Sequence, residues 1–265
     1  MSSSADCRFR VAIPARYGST RLKGKPLRLI AGKTMIRRVY DNAVESGAES
    51  VVVATDDSRI LQEVKGFGGR AVMTAAGHAS GTDRIAEVVE KERWPESEIV
   101  VNLQGDEPGI GADLIRSVAV ALNACPAAGI ATLATPIRDA QEIFDPNAVK
   151  VVVDRAGMAL YFSRAPIPWV RDLFGQTPGR LADPPAGVPF LRHLGLYCYR
   201  VGSLLRLAGH QPAGCERAEA LEQLRALWLG IGIHVSVVDS PPARGIDSEE
   251  DLRQAQERFG KPGQT

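Results

Sequence analysis

Residues 13–27 read IPARYGSTRLKGKPL, and Arg16, Arg21, Lys23 and Lys25 crowd this short span, with Arg28 immediately after it. No core shields cations from one another in such a loop, so a negatively charged ligand is the natural partner. A loop at a strand end offers backbone N–H groups along with cations, and Gly18 and Gly24 let the backbone approach closely. Arg16 and Arg21 suit bidentate contacts to phosphate oxygens, while Lys25 acts as a point charge. The pattern is neither GxxxxGK[ST] nor GxGxxG, which argues against a P-loop ATPase and a dinucleotide-binding dehydrogenase. A solvated surface loop is the plain alternative.

A second chemistry comes from carboxylates. In VNLQGDEP an apolar run delivers Gln104, Gly105, Asp106 and Glu107 to what should be the carboxyl edge of a sheet. A carboxylate there, opposite a phosphate-binding loop, suits Mg²⁺, which takes one or two carboxylates together with phosphates and water. Asp247, in ARGIDSEEDL, is expected at the end of the last strand and is a candidate second ligand. Asp106 alone also reads as a turn former, and Asp247 alone as a helix cap.

The elements that position these groups alternate through the first half. RFRVAIPA, SVVVATDD, AVMT and EIVVNLQGDEP read as buried strands. TMIRRVYDNAVESG, SRILQEVKGFGG, TDRIAEVVEKERW and GADLIRSVAVALNA read as the helices between and after them. This βαβα rhythm predicts an α/β fold: a mostly parallel sheet with helices on both faces, a Rossmann-type sandwich, with ligands outside the carboxyl ends of the strands. After about residue 136 the rhythm changes. AVKVVVDRAGMALYFSR reads as an antiparallel hairpin, RHLGLYCYR as an alternating strand, and CERAEALEQLRALWLG as one amphipathic helix. The expected organisation is an α/β domain of residues 1–135 and 216–265, with a smaller mixed or antiparallel insertion at 136–215.

The 265 residues are 45% apolar and 24% charged with a formal net charge of +1. That profile fits a globular chain and argues against nucleic-acid or membrane binding, which would need a surplus of Lys and Arg. Cys7, Cys125, Cys198 and Cys215 are scattered with no CxxC pair, which predicts neither a zinc site nor a disulfide framework. The segment MSSSADCRFR lacks an apolar h-region, and a cytoplasmic location is expected.

Several of these stretches together resemble the 3-deoxy-manno-octulosonate cytidylyltransferase (CMP-Kdo synthetase) family. They are IPARYGSTRLKGKPL, VVVATDD, HASGTDRIAEVVEK, VNLQGDEP, NAVKVV, ALYFSRAPIPW, RHLGLYCYR, EALEQLRALW and GIDSEEDL, in order from about residue 9 to residue 258. The resemblance implies a nucleotidyltransferase-like fold and a Mg²⁺-dependent reaction of lipopolysaccharide biosynthesis. CTP and the sugar acid Kdo give CMP-Kdo and pyrophosphate, in a homodimeric enzyme. It places Arg16, Ser19, Arg21 and Lys25 on the triphosphate and Ser80, Gly81 and Arg84 at the cytosine. Asp106 and Asp247 fall on the metal, with Arg21, Lys25 and these two aspartates as the catalytic set. Gln104, Arg164, His193, Glu222 and Gln223 fall at the sugar acid, Arg164 and His193 on its acid group. Amino-Kdo or sialic acid is the alternative acceptor. By residue type alone His193 would be structural and Glu222 and Gln223 ordinary polar helix residues. Lys23 stands where the family commonly has proline, and Cys215 where an apolar residue such as leucine is usual.

Overall fold

The strands of the central sheet read as unbroken apolar runs because helices cover both of its faces. The computed structural model describes residues 7–18, 22–175, 181–243 and 245–260; Ser19 and Arg21 lie outside the described residues. The strands are β1 (Arg10–Ala15), β2 (Leu29–Ile30), β3 (Lys33–Thr34), β4 (Ser50–Thr55), β5 (Ala71–Met73), β6 (Ile99–Asn102), β7 (Ile130–Pro136), β8 (Lys150–Val153), β9 (Ala159–Ser163), β10 (Leu191–Arg200) and β11 (Ile233–Val237). The helices are α1 (Met35–Glu45), α2 (Ser58–Gly66), α3 (Gly81–Glu92), α4 (Ala112–Ala124), α5 (Ala140–Phe144), α6 (Arg171–Phe174), α7 (Val201–Ala208), α8 (Gly214–Glu219), α9 (Gln223–Trp228) and α10 (Glu249–Gly260).

The main sheet runs β11-β7-β10-β6-β1-β4-β5. β1 pairs in parallel with both β4 and β6, and β4 with β5. The order therefore reverses at β1, and the crevice beyond the ends of β1 and β6 is a topological switch point where such folds bind ligands. Alternate residues of each strand feed two cores. Val11, Ile13, Val53 and Val101 pack on Ile36 and Val39 of α1, Ile60 of α2 and Ile115 of α4. Ala12, Val52 and Val100 pack on Ile85 and Val89 of α3, Leu204 of α7 and Leu224 of α9. A third cluster joins Leu22 and Ile30 to Ile246, Leu252 and Ala255, seating α10 and the segment before it beside the cation-rich loop.

Two features differ from the sequence expectation. β10 lies in the middle of the main sheet, antiparallel to both β6 and β7, although its residues fall in the stretch expected as an insertion. The β8–β9 hairpin hangs from the start of β10 through Leu191↔Val151 and Arg192↔Lys150. The helix expected over CERAEALEQLRALWLG is instead two helices, α8 and α9, broken at Ala220, whose φ of 51° is left-handed. Tertiary hydrogen bonds stop the helix there. The Glu219 carboxylate accepts from Ser163 Oγ at 2.6 Å and the Arg164 N–H at 2.9 Å, and Arg164 Nε donates to the Glu219 carbonyl at 2.7 Å. Across the break, Arg225 grips the Glu216 carboxylate with Nε at 2.8 Å and Nη2 at 2.5 Å.

Candidate active site

The parallel strands β1, β4, β5 and β6 end on one edge of the sheet, so the loops after them converge. A cavity of about 540 Å³ opens there, lined by Arg16, Gly18, Lys25, His78, Ser80, Gly81, Arg84, Gln104, Gly105, Asp106 and Asp247 among others. Eight of the expected residues thus meet at one place: Arg16, Lys25, Ser80, Gly81, Arg84, Gln104, Asp106 and Asp247.

Lys25 is its electrostatic centre. Pro26, in the first turn of a short 3-10 segment after left-handed Gly24 (φ 64°), helps fix the backbone around it. The Lys25 side chain is 8% exposed, and its Nζ donates to Asp106 Oδ2 at 2.6 Å and to Asp247 Oδ1 at 2.8 Å. Two carboxylates from distant segments are therefore gathered on one ammonium. The Asp247 segment is docked on the turn after β6: the Ile246 N–H donates to the Asp106 carbonyl at 3.0 Å. Among the described residues no group of three or more His, Cys, Asp and Glu is arranged to hold a metal. The paired Asp106 and Asp247 match instead the carboxylate set that Mg²⁺ takes alongside phosphates.

Close approach of the two strand ends depends on glycine. The Gly105 N–H donates to the Pro14 carbonyl at 3.3 Å, and a Cβ on Gly105 would stand 3.0 Å from that oxygen and 3.3 Å from Ala15 Cβ. Across the same crevice, a Cβ on Gly81 would meet Pro14 Cγ at 3.2 Å and Gln104 Nε2 at 3.3 Å. Ser80 caps α3 reciprocally with Asp83, each side chain accepting from the other's N–H at 3.1 Å. This capping box holds the start of α3 against the cavity.

Arg84 is buried and held by Asp56 Oδ2 at 2.8 Å and Thr74 Oγ1 at 2.5 Å. Asp56 belongs to the TDD stretch after β4, and the sequence had given it no role. His78 also lines the cavity and hydrogen-bonds Glu87. Burial alone would raise the Glu87 carboxyl, but hydrogen bonds from Lys91, His78 and the Ala75 N–H hold it down at about 2. Burial, with the charges of Asp106 and Asp247 adding and Lys25 opposing, pushes the Glu107 carboxyl up to about 7. Glu107 faces a separate cavity of about 290 Å³, lined also by Leu133, Arg192 and His193.

A third cavity, of about 200 Å³, adjoins the first and shares Ser80, Gly81 and Gln104 with it. Its further lining includes Thr82, Asn102, Tyr197, Tyr199, Glu222 and Gln223. After the break at Ala220, α9 starts at Gln223 with Glu222 as its N-cap, which sets Glu222 and Gln223 at this wall. Three of the five residues expected at the sugar acid, Gln104, Glu222 and Gln223, thus come together.

The other two stand back from it. His193 sits behind Tyr197, the rings 5.2 Å apart, and contacts Phe162 edge-on at 5.1 Å. Its Nε2 is 2.9 Å from Thr132 Oγ1, and burial pushes its pKa down to about 3. His193 is therefore a neutral imidazole near pH 7, where the expectation of an acid-group contact would favour a cation. Arg164 has its guanidinium engaged with backbone: Nε to the Glu219 carbonyl and Nη1 to the Pro146 carbonyl at 2.8 Å. Lys150, with no exposed surface, donates to the Arg164 and Asp145 carbonyls at 2.7 and 2.8 Å. In this arrangement Arg164 secures the turn that presents Glu222. Neither Lys150 nor Asn102 was assigned a role from sequence, since each is a single polar residue in an apolar strand.

A family model described as cytidylyltransferase matches residues 11–233. The chain is 53% identical over 257 residues to a 3-deoxy-manno-octulosonate cytidylyltransferase of Hahella chejuensis, covering 96% of this chain and 98% of the relative. The enzyme of that name from Vibrio cholerae serotype O1 is 53% identical over 244 residues, covering 92% of this chain and 94% of the relative. A solved structure of a CMP:2-keto-3-deoxy-manno-octonic acid synthetase complexed with CTP is similar at a TM-score of 0.85. It is 40% identical, with 96% of this chain and 98% of that chain covered.

Proposed function

The chain belongs to the cytidylyltransferase family, and on that premise we propose that it joins CMP from CTP to 3-deoxy-manno-octulosonate (Kdo), releasing pyrophosphate. One observation supports this above the others: a cation-lined cavity at the β1–β6 switch point adjoins a smaller hydrogen-bonding cavity, and the two share Gln104. In the reaction a sugar hydroxyl oxygen bonds to the α-phosphorus and gives up its proton to solvent, the bond from that phosphorus to the bridging oxygen breaks, and pyrophosphate leaves. Arg16 and Lys25 bind the phosphates, and Ser19 and Arg21, between them in the sequence, are assigned the same role. Ser80, Gly81 and Arg84 lie on the base side. Gln104, Glu222 and Gln223 hold the sugar's hydroxyls and orient the attacking one, with Arg164 and His193 supporting them from behind. Positioning and charge neutralisation supply the rate, with no protein acid or base required.

Asp106 and Asp247 would hold Mg²⁺, which when bound offsets charge on the phosphate oxygens. Lys25, now shared between the two carboxylates, is then free to serve the phosphates.

The enzyme is proposed to be a homodimer. Leu160 and Tyr161 on β9 and Trp228 at the end of α9 are exposed, and β9 takes its only ladder partner among the described residues from β8. Apolar side chains beside an unpaired strand edge suit a second copy of the chain. Light scattering should give the mass of two chains, and Trp228→Asp should shift it towards one. Among the described residues no helix is long and apolar enough to cross a membrane. The free state of Cys7, Cys125, Cys198 and Cys215 suits the reducing cytoplasm.

The deciding experiment is pyrophosphate release with each NTP against Kdo, amino-Kdo and sialic acid, with and without Mg²⁺. Release is expected with CTP, Kdo and Mg²⁺ together. Its absence at every metal concentration overturns the assignment, and faster release with another sugar acid reassigns the acceptor.

A further inference from the structure

β4 ends in the stretch TDD, whose two aspartates hold two arginines. Asp56 takes Arg84, and Asp57 takes Arg59 of α2. Asp57 caps α2 by accepting from the Arg59 N–H at 2.9 Å, and it grips the Arg59 guanidinium at both ends, Nε to Oδ1 at 2.9 Å and Nη2 to Oδ2 at 2.6 Å. These hydrogen bonds hold the Asp57 carboxyl below its ordinary range, so it stays a carboxylate near pH 7. The guanidinium so held lies over the ring of Tyr17, with Arg59 Cζ 3.3 Å from the ring centroid. A planar cation stacks on an aromatic face at that distance, which an ammonium does not reproduce.

Tyr17 forms the neck of the cation-rich loop. The Gly24 N–H donates to the Tyr17 carbonyl at 3.3 Å. A Cβ on Gly24 would stand 3.0 Å from Tyr17 Cε2 and 3.1 Å from its Cζ and Oη, so the ring packs directly on the Gly24 backbone. Arg16 precedes the first of these residues and Lys25 follows the second, and both cations line the larger cavity. Among the described residues, Tyr17 and Arg59 do not line it. Lys23 lacks the fixed φ of a proline, so restraint on this backbone has to come from outside the loop.

We propose that Arg59, held by Asp57, is a positioning residue that braces Tyr17 against Gly24 and so sets the separation of Arg16 and Lys25 for the triphosphate. This deepens the assignment above and rests on it. One turn then serves both ends of the nucleotide, Asp56 through Arg84 at the base and Asp57 through Arg59 at the phosphates.

The test compares Arg59→Leu, Arg59→Lys, Tyr17→Phe, Tyr17→Leu and the double variant Tyr17→Leu/Arg59→Leu with the unaltered protein. Each is titrated calorimetrically with inorganic tripolyphosphate in the presence of Mg²⁺, assayed with CTP and Kdo varied separately, and melted. Arg59→Leu should raise the tripolyphosphate Kd and the CTP KM about fivefold, with the Kdo KM within about twofold and the Tm little changed. Arg59→Lys keeps the charge without the plane and should recover little of the loss. Tyr17→Phe keeps the ring and should match the unaltered protein. In the Tyr17→Leu background the loss of Arg59 should add nothing further, because nothing is left to brace. Full recovery in Arg59→Lys, or a further loss in the double variant, means that Arg59 meets the phosphates as a charge and overturns the proposal. So does an unchanged tripolyphosphate Kd in Arg59→Leu. An unaltered protein that binds tripolyphosphate but releases no pyrophosphate from CTP and Kdo overturns the assignment, and the titrations then decide the brace alone. One that binds no tripolyphosphate overturns both.

Discussion

The two adjoining cavities are built by opposite means. The larger is made of loops after strands, and its groups are full charges: Lys25 between Asp106 and Asp247, Arg16 in the wall, and Arg84 pinned by Asp56. Beyond the Ser80, Gly81 and Gln104 that it shares with the larger, the smaller is made mostly of residues within strands, in the first turn of α3 and at a helix break, and apart from Glu222 its polar groups are neutral. Charges gathered at a strand edge suit a polyanion, whose phosphates are recognised by sign and approximate position. Neutral donors and acceptors suit a polyol, which can be recognised only by the direction of each hydrogen bond. Errors should therefore have different signatures on the two sides: lost rate and nucleotide binding in one, lost acceptor binding in the other.

The sharpest break is expected at Asp106. Asp106→Asn keeps the shape and a hydrogen-bond acceptor but removes a carboxylate, and should lower kcat by a hundred- to a thousandfold. Its melting temperature should stay within a few degrees, because the carboxylate it replaces is 40% exposed. A near-normal rate in the pyrophosphate assay would remove Asp106 from the metal site. Next in size, Glu222→Gln puts a possible donor where the Thr82 hydroxyl needs a pure acceptor. The Kdo KM should rise ten- to a hundredfold with the CTP KM little changed, measured by varying each substrate in turn. On the other side, Asp56→Asn weakens the ion pair that aims Arg84. The mirror-image result is expected: a CTP KM raised roughly three- to tenfold and a Kdo KM unmoved. If both variants shift both constants alike, the division of labour between the cavities is wrong.

The smallest effect concerns pH. The Glu87 carboxyl is held at about 2 in the folded chain, below its ordinary range. The unfolded chain then binds more protons in acid, so this group's contribution to stability is full above about pH 4.5 and is lost as pH falls towards 2. Glu87→Gln should flatten that part of the stability-versus-pH curve, followed by urea unfolding between pH 3 and 7. Equal slopes in variant and parent would show that the loop carrying His78 is not tied down by this carboxylate.

How much of this was legible in the sequence follows the same division. The loop after β1 announced itself because four cations in a loop have no explanation within a core. Asp106 was legible because it follows the apolar strand β6, whereas Asp247, expected at the end of the last strand, lies in the segment after β11, which already ends at Val237. The parallel strands and α1 to α4 were legible from apolar runs alternating with helical spacing. The central place of β10 was not, since side-chain alternation is the same for either strand direction and says nothing about which neighbours a strand will choose. Nor was the break at Ala220, because Glu, Ala, Leu and Gln all favour continuing the helix. Only Ser163 and Arg164, more than fifty positions away, stop it. Asn102, which accepts from Gln104, and Thr82, which donates to Glu222, were silent for a related reason: a lone polar residue on a strand or in the first turn of a helix acquires a role only from its partners.

Gly105 has a mechanical consequence. The end of β1 and the turn after β6 touch where Gly105 meets the Pro14 carbonyl. The opening between them is gauged there by a side chain consisting of one hydrogen atom. A methyl at that point would stand 3.0 Å from the Pro14 carbonyl oxygen, so the end of β1 or the turn that carries Asp106 would have to give by a few tenths of an ångström. The spacing of the two strand ends is thus gauged by an uncharged residue beside the ion pair of Lys25 and Asp106.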